Sequence, residues 1–289
     1  MRRWLALLLF AGAACAHAVQ VTDDRGLRVD FAQPPQRIVS LLPSLTEFTC
    51  ALQACGRLVG VDDYSNHPPS VRALPHVGGL EDARIESIVA LKPDLVLAPT
   101  SSRALERLQA LGLKVLALEP RTFGDVQRVL ALLGPVLGTP DAAAVWRGIE
   151  RDLAAAAREL PPHLRGTRVY FEVSSAPYAA SESSFIGELL ARLGLRNVVP
   201  GALGPFPRLN PEFVVRADPQ WILVADDDAT RLPARPGWAG MRALREGNVC
   251  VFTAAQGDVL VRAGPRLAEA ARLMVRCLRG ELAGQGATR

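Results

Sequence analysis

The sequence predicts an α/β protein of two lobes, each built on a mostly parallel central sheet, joined by a single long α-helix. Three observations predict it. Short apolar, β-branched runs alternate with helix-like segments along both halves of the 289-residue chain, which is the rhythm of βαβ units. An alanine-rich stretch from 139 to about 160 interrupts that rhythm once, near the middle. Two near copies of one short unit, "ESIVALKPDLVLAP" (86–99) and "EFVVRADPQWILVA" (212–225), lie on either side of the interruption. Each starts with a glutamate, runs on as an apolar helix to a proline, and ends in a strand-like run.

The elements follow in order. "VTDDRGLRVDF" reads as a hairpin, "RIVSLL" (37–42) as a buried strand, and "PSLTEFTCALQA" as a helix opened by Pro-Ser. "LVGVD" is a strand, and the turn-rich "DYSNHPPSV" follows it. "DARIESIVAL", "SSRALERLQALG" and "FGDVQRVLALLGPVLG" are helices, with strands "DLVLAP" and "KVLAL" between them. The stretch "TPDAAAVWRGIERDLAAAAREL" starts with a Thr-Pro-Asp cap and stops at Pro161-Pro162, giving one long helix. Strands "RVYFEV", "NVV", "WILVA" and "NVCVF" then alternate with helices "SFIGELLARLG", "NPEFVVRA", "GWAGMRAL" and "GPRLAEAARLMVRCLRG".

The first residues, "MRRWLALLLFAGAACAHA", have two arginines, an apolar run from Trp4 to Ala14 and an Ala-His-Ala ending. That order is a secretory leader cleaved after Ala18, and the run is too short for a membrane span. Lipidation at Cys15 is the rival, although Gly12-Ala13-Ala14 lacks the usual aliphatic residue. The expected organisation is a signal peptide over 1–18, a first α/β lobe over 19–138, a linker helix over 139–163 and a second α/β lobe over 164–289. Loss of Arg2 and Arg3 lowers the formal charge of +4 by two, which gives no basis for a nucleic-acid partner.

Export to an oxidising compartment changes how the cysteines read. Cys50 and Cys55 flank "ALQA" at a helix end, so a local bridge is one expectation. Cys250 on a strand and Cys277 in the last helix form the other pair, and four buried thiols are the alternative. No metal site is expected, because neither pair has short C-x₂₋₄-C spacing and the four histidines are scattered. No nucleophile elbow, phosphate-cradling glycine loop, dinucleotide fingerprint or H-E-x-x-H occurs, so nothing demands an enzyme.

Glu86 and Glu212 stand in the first turn of their helices, where an acid offsets the helix dipole by a few tenths of a kcal/mol (roughly 0.3–1). Their pairing, one per lobe, also makes a two-point acidic surface suited to bidentate hydrogen bonds from arginines on a membrane partner.

"RIVSLLPSLTE", "LVGVDDYSNHPP", "IESIVALKPDLVLA", "FPRLNPEFVVRADPQWILV" and "GDVLVRAGPRLAEAARLM" occur in this order. The chain thereby resembles the periplasmic binding proteins for cobalamin that serve ABC importers, over roughly Arg37 to Cys277. The resemblance implies two Rossmann-like lobes on a single-helix hinge, the class III binding-protein architecture, and capture without catalysis. It implies a monomer in the periplasm that delivers cobalamin (vitamin B12) or a related corrinoid to a permease dimer in the inner membrane. Glu86 and Glu212 match the glutamates that engage the permease. Tyr64 matches a tyrosine against the corrin, Phe206 replaces a tryptophan, and Asp258 and Arg262 match an acid and an arginine that meet polar groups of the ligand. Their four-residue spacing also permits a plain ion pair on one helical turn.

Pro43 and Ser44 are expected beside the cleft, and so is Leu80. Leu80, Pro99 and Val261 stand where the family carries two aromatics and an acid, and Tyr178 is a further aromatic of uncertain register. No cofactor is implied beyond the ligand. Haem, with Tyr64 or His67 as axial ligand, or a ferric siderophore met by Arg208, Arg231 and Arg262, are alternative cargoes of the same fold. A secreted α/β enzyme using Glu86 or Asp258 as a general base is the reading from another class.

Overall fold

The computed structural model describes residues 18–139, 141–174, 178–225 and 232–282. The leader up to His17, with Cys15, lies outside the described residues, and so does Arg231.

A hairpin of β1 (Val19–Thr22) and β2 (Arg28–Phe31) precedes β3 (Ile38–Ser40), α1 (Pro43–Ala51), β4 (Leu58–Val61), α2 (Ile85–Ala90), β5 (Leu95–Ala98), α3 (Leu105–Ala110), β6 (Val115–Ala117) and α4 (Phe123–Leu137). Helix α5 (Ala142–Glu159) comes next. After it come β7 (Arg168–Ser174), β8 (Tyr178–Ala179), α6 (Phe185–Arg192), β9 (Arg196–Asn197), α7 (Pro211–Ala217) and β10 (Trp221–Val224). The last elements are α8 (Arg242–Arg245), β11 (Val249–Val251), α9 (Ala254–Leu260) and α10 (Leu267–Leu278).

The two sheets are separate. One runs β4-β3-β5-β6 with all pairs parallel; the other runs β11-β10-β7-β8, with β9 also on β7, and only the β7–β8 pair is antiparallel. Both are covered on both faces, so their strands read as continuous apolar runs. Side chains of successive residues go to opposite faces. Leu95 and Leu97 enter one core and Val96 and Ala98 another, while Phe171 and Leu223 part from Tyr170 and Ile222 in the second sheet.

The inner core is shared. It runs from Ile38, Leu45 and Phe48 through Trp146, Ile149, Leu153 and Ala156 of α5 to Phe171, Leu223 and Met274. The α5 residues fall on one helical stripe, and the helix packs against α4 on one side and α10 on the other. Asp141 starts α5 by accepting the Ala144 N–H at 2.7 Å, and the chain leaves the helix at Leu160, before Pro161.

Both expected disulfides are present, Cys50–Cys55 and Cys250–Cys277, the second tying β11 to α10. Three elements differ from expectation. "GWAGMRAL" splits into a short 3₁₀ turn (Trp238–Gly240) and α8, because Gly237 sits at φ +79° and Trp238 is driven wholly into the core. Strand β8 adds an antiparallel edge, and α9 forms where no helix was foreseen.

Candidate functional site

Ligands of open α/β sheets bind outside the carboxyl ends of the strands. Leu42, Pro43 and Ser44 follow β3, Pro99 and Ser101 follow β5, and Glu119, Pro120 and Arg121 follow β6. These residues and Leu80 line one wall of a cavity of about 420 Å³, and Phe185, Pro205, Phe206, Val261, Arg262 and Ala263 of the second half line the other. Leu80, Phe206 and Val261 are all more than a third exposed, so apolar surface is left facing the opening. The Phe185 and Phe206 rings meet edge to face, their centroids 6.1 Å apart. A larger groove of about 640 Å³ lies between α4 and α5, but its lining stays within 127–150 and draws nothing from either sheet edge.

Tyr64 is not among the residues lining the cavity; it is 69% exposed, and its carbonyl is held by the cavity-lining Arg262. Its ring lies over Gly79, where an added Cβ would come within 3.3 Å of Cε2. The buried carboxylate of Asp62 shapes this loop by accepting the Tyr64 N–H at 2.8 Å and the Ser65 hydroxyl. Burial pushes the Asp62 carboxyl above the ordinary carboxylate range, against the opposing Ser65 and Tyr64 hydrogen bonds and the Arg262 charge. Thr46 of α1 contacts Ser65 at 2.8 Å and donates to Ser40 at 2.9 Å, fastening the loop to the first lobe.

One flank of the cleft is closed by charge. Glu47, 3% exposed, accepts from Arg262 Nη1 at 3.0 Å, from Arg266 Nε at 3.0 Å and from Arg266 Nη2 at 2.6 Å. Arg262 also donates to Asn66 Oδ1 at 2.9 Å and to the Tyr64 carbonyl at 3.0 Å, and pairs with Asp258 at 2.9 Å. Asn66 in turn donates to Asp258 at 2.6 Å. On the other flank, the Phe123 N–H donates to Glu188 at 3.2 Å while the Arg192 guanidinium lies 4.6 Å above the Phe123 ring.

Five of the seven expected pocket residues therefore line one cavity: Pro43, Ser44, Leu80, Phe206 and Arg262. Asp258 is committed to Arg262 and Asn66, in the ion-pair arrangement that its spacing permits. His67 lines a separate crevice of about 240 Å³ with Glu47 and Arg266, and burial and the Arg266 charge push its imidazole below the ordinary range against the pull of Glu47. Tyr178 pairs across a bridge with Arg208.

Sequence reasoning missed Glu47, although "PSLTE" put it one helical turn from Pro43. It also missed the polar end of the cavity. Glu119 there accepts from Thr100, from Arg121 Nη2 at 3.2 Å and from Ser101 at 3.4 Å. Burial opposes its charge, but the Thr100 and Arg121 hydrogen bonds and the Arg121 charge outweigh it and hold the carboxyl below its usual range.

Glu86 opens α2 with its side chain 84% exposed and Arg107 at 3.6 Å; Glu212 is exposed in the first turn of α7, capped by Asn210. In a parallel βαβ unit the crossover helix runs against its strands, so its N-terminus lies at the strands' carboxyl edge. α2 enters β5 and α7 enters β10, which puts each glutamate at the ligand-binding edge of its own sheet.

The periplasmic binding protein family matches residues 38–255. The chain belongs to this family. It is a substrate-binding protein of the ABC-importer type, in the group that handles vitamin B12, haem and siderophores. It is 28% identical over 263 residues to an ABC transporter substrate-binding lipoprotein of Bacillus subtilis, covering 87% of this chain and 82% of that one. It is also 28% identical over 251 residues to the vitamin B12-binding protein of Pectobacterium carotovorum, covering 82% and 86%. A periplasmic haem-binding protein of Pseudomonas aeruginosa shares the fold with a TM-score of 0.72 and 28% identity, over 84% of this chain and 92% of that one. Among the described residues no helix is long and apolar enough to cross a membrane.

Proposed function

We propose that this binding protein carries cobalamin or a related corrinoid between lobes 19–138 and 164–289, hinged on 139–163, and hands it to an inner-membrane permease from the periplasm. The observation that carries the reading is a cavity with apolar walls from both halves, Leu42, Pro43, Leu80 and Pro99 facing Phe185, Phe206 and Val261. Such walls accept the faces of a flat macrocycle, and the exposed Tyr64, whose carbonyl meets the cavity-lining Arg262, offers a further aromatic face. The similarity to the Pectobacterium vitamin B12-binding protein supports the same cargo. Glu86 and Glu212 serve as the permease contacts.

Titration of the purified protein with cyanocobalamin, haemin and a ferric hydroxamate tests the cargo. Saturable cyanocobalamin binding without a haem Soret shift is expected; a Soret shift with no cobalamin binding overturns it in favour of haem. Glu86→Ala with Glu212→Ala is expected to leave corrinoid affinity unchanged and abolish uptake in cells, and normal uptake would refute the docking role.

A further inference from the structure

The polar end of the cavity makes a finer statement, which rests on the corrinoid reading. We propose that Glu119 and Arg121 read a primary carboxamide on the ligand and set the preference of this protein for amide-bearing over carboxylate-bearing macrocycles. An ionised carboxylate offers about four acceptor positions and no donor. At Glu119, Arg121 and the Ser101 hydroxyl sit on Oε1 and Thr100 on Oε2, and the Ser101 N–H is also directed at the carboxylate. The side chain is still 21% exposed and lines the cavity, so the carboxylate stays open to a ligand donor.

The backbone fixes it there, since the Glu119 N–H donates to Asp24 at 2.8 Å. Arg121 lines the cavity too, is 64% exposed and meets Glu119 through Nη2, which leaves guanidinium N–H groups available beside that carboxylate. A carboxamide fits both at once: its NH₂ donates to Glu119 and its C=O accepts from Arg121. A ligand carboxylate satisfies Arg121 but brings a second negative charge against Glu119, where like charges in a partly desolvated site are strongly disfavoured. The residue that admits the amide is therefore also the one that rejects the acid.

The test compares dicyanocobinamide with cobyrinic acid, in which the corrin side chains are carboxylic acids, by calorimetric titration at pH 7.5. The wild-type chain should favour the amide corrinoid by about 100-fold or more, the order expected when like charges brought together cost several kcal/mol. Glu119→Gln, which keeps an acceptor and adds a donor, should narrow that preference about tenfold by gaining affinity for the acid. Arg121→Gln, an exposed position that does not threaten folding, should weaken amide binding about tenfold, close to the loss of one charged hydrogen bond. An unchanged amide-to-acid ratio in Glu119→Gln, or unchanged binding of both ligands in Arg121→Gln, overturns the assignment and leaves the corrinoid reading standing. Failure of the wild-type chain to bind either corrinoid refutes that reading and this assignment with it.

Discussion

Replacing Glu47 by alanine tests whether charge bolts the two halves together. The carboxylate is 3% exposed and holds two arginines whose side chains are only 9% and 14% exposed, more than 200 residues away in sequence. Removing one partner of a buried ion pair leaves an uncompensated charge and costs about 3–5 kcal/mol. The two arginines do not lose equally. Arg262 keeps Asp258, Asn66 and the Tyr64 carbonyl, whereas among the described residues Arg266 keeps only Glu269, at 3.9 Å. The loss is therefore carried mainly by Arg266, and about 3 kcal/mol, the lower end of the range, is expected. For a chain of this size that corresponds to a fall in melting temperature on the order of 10 °C. Urea unfolding followed by tryptophan fluorescence measures it, and Glu47→Gln, which retains one acceptor oxygen, should lose about half as much. A loss below about 1 kcal/mol for Glu47→Ala would place the cluster with ordinary surface pairs and refute the reasoning.

Three further outcomes follow from the packing. Gly257→Ala places a Cβ 2.5 Å from the Ala225 carbonyl oxygen, so α9 must move off the end of β10 at a cost of roughly 1–3 kcal/mol, read in the unfolding midpoint. Reducing Cys250–Cys277, which closes a loop of 27 residues, should lower stability by about 3–4 kcal/mol on loop entropy alone; a Cys250→Ala, Cys277→Ala chain unfolding at the wild-type midpoint would contradict this. His67 is held below its unfolded value, so the folded state binds fewer protons and stability falls as pH drops below about 6.5 through the folded value. His67→Gln should flatten that slope, and an unchanged profile would assign it to another group.

The alternation of strands and helices was legible because fully covered parallel strands leave unbroken apolar runs between capped helices. Helix α9 was not read from the sequence, although Thr253 and Gln256 form a capping box. Its seven residues are too few to show a helical period, and Gly257 lowers the propensity further. The cavity's apolar wall was partly visible: Pro99 and Val261, noted as departures from the family's pattern, both line it. Glu47, Glu119 and Arg121 were hidden for a different reason. Glu47 meets its arginines across 215 and 219 positions, and the polar cluster around Glu119 emerges only when β5 and β6 bring Thr100, Ser101 and Arg121 together. Such sites are made by tertiary placement, which no local spacing records.

The Tyr64 loop is fastened twice, to its own lobe through Asp62 and to the opposite one through the carbonyl that Arg262 holds. Mouth and joint are thus a single lever. A transporter that pried the halves apart would have to break the Arg262 hold on the Tyr64 carbonyl in the same stroke.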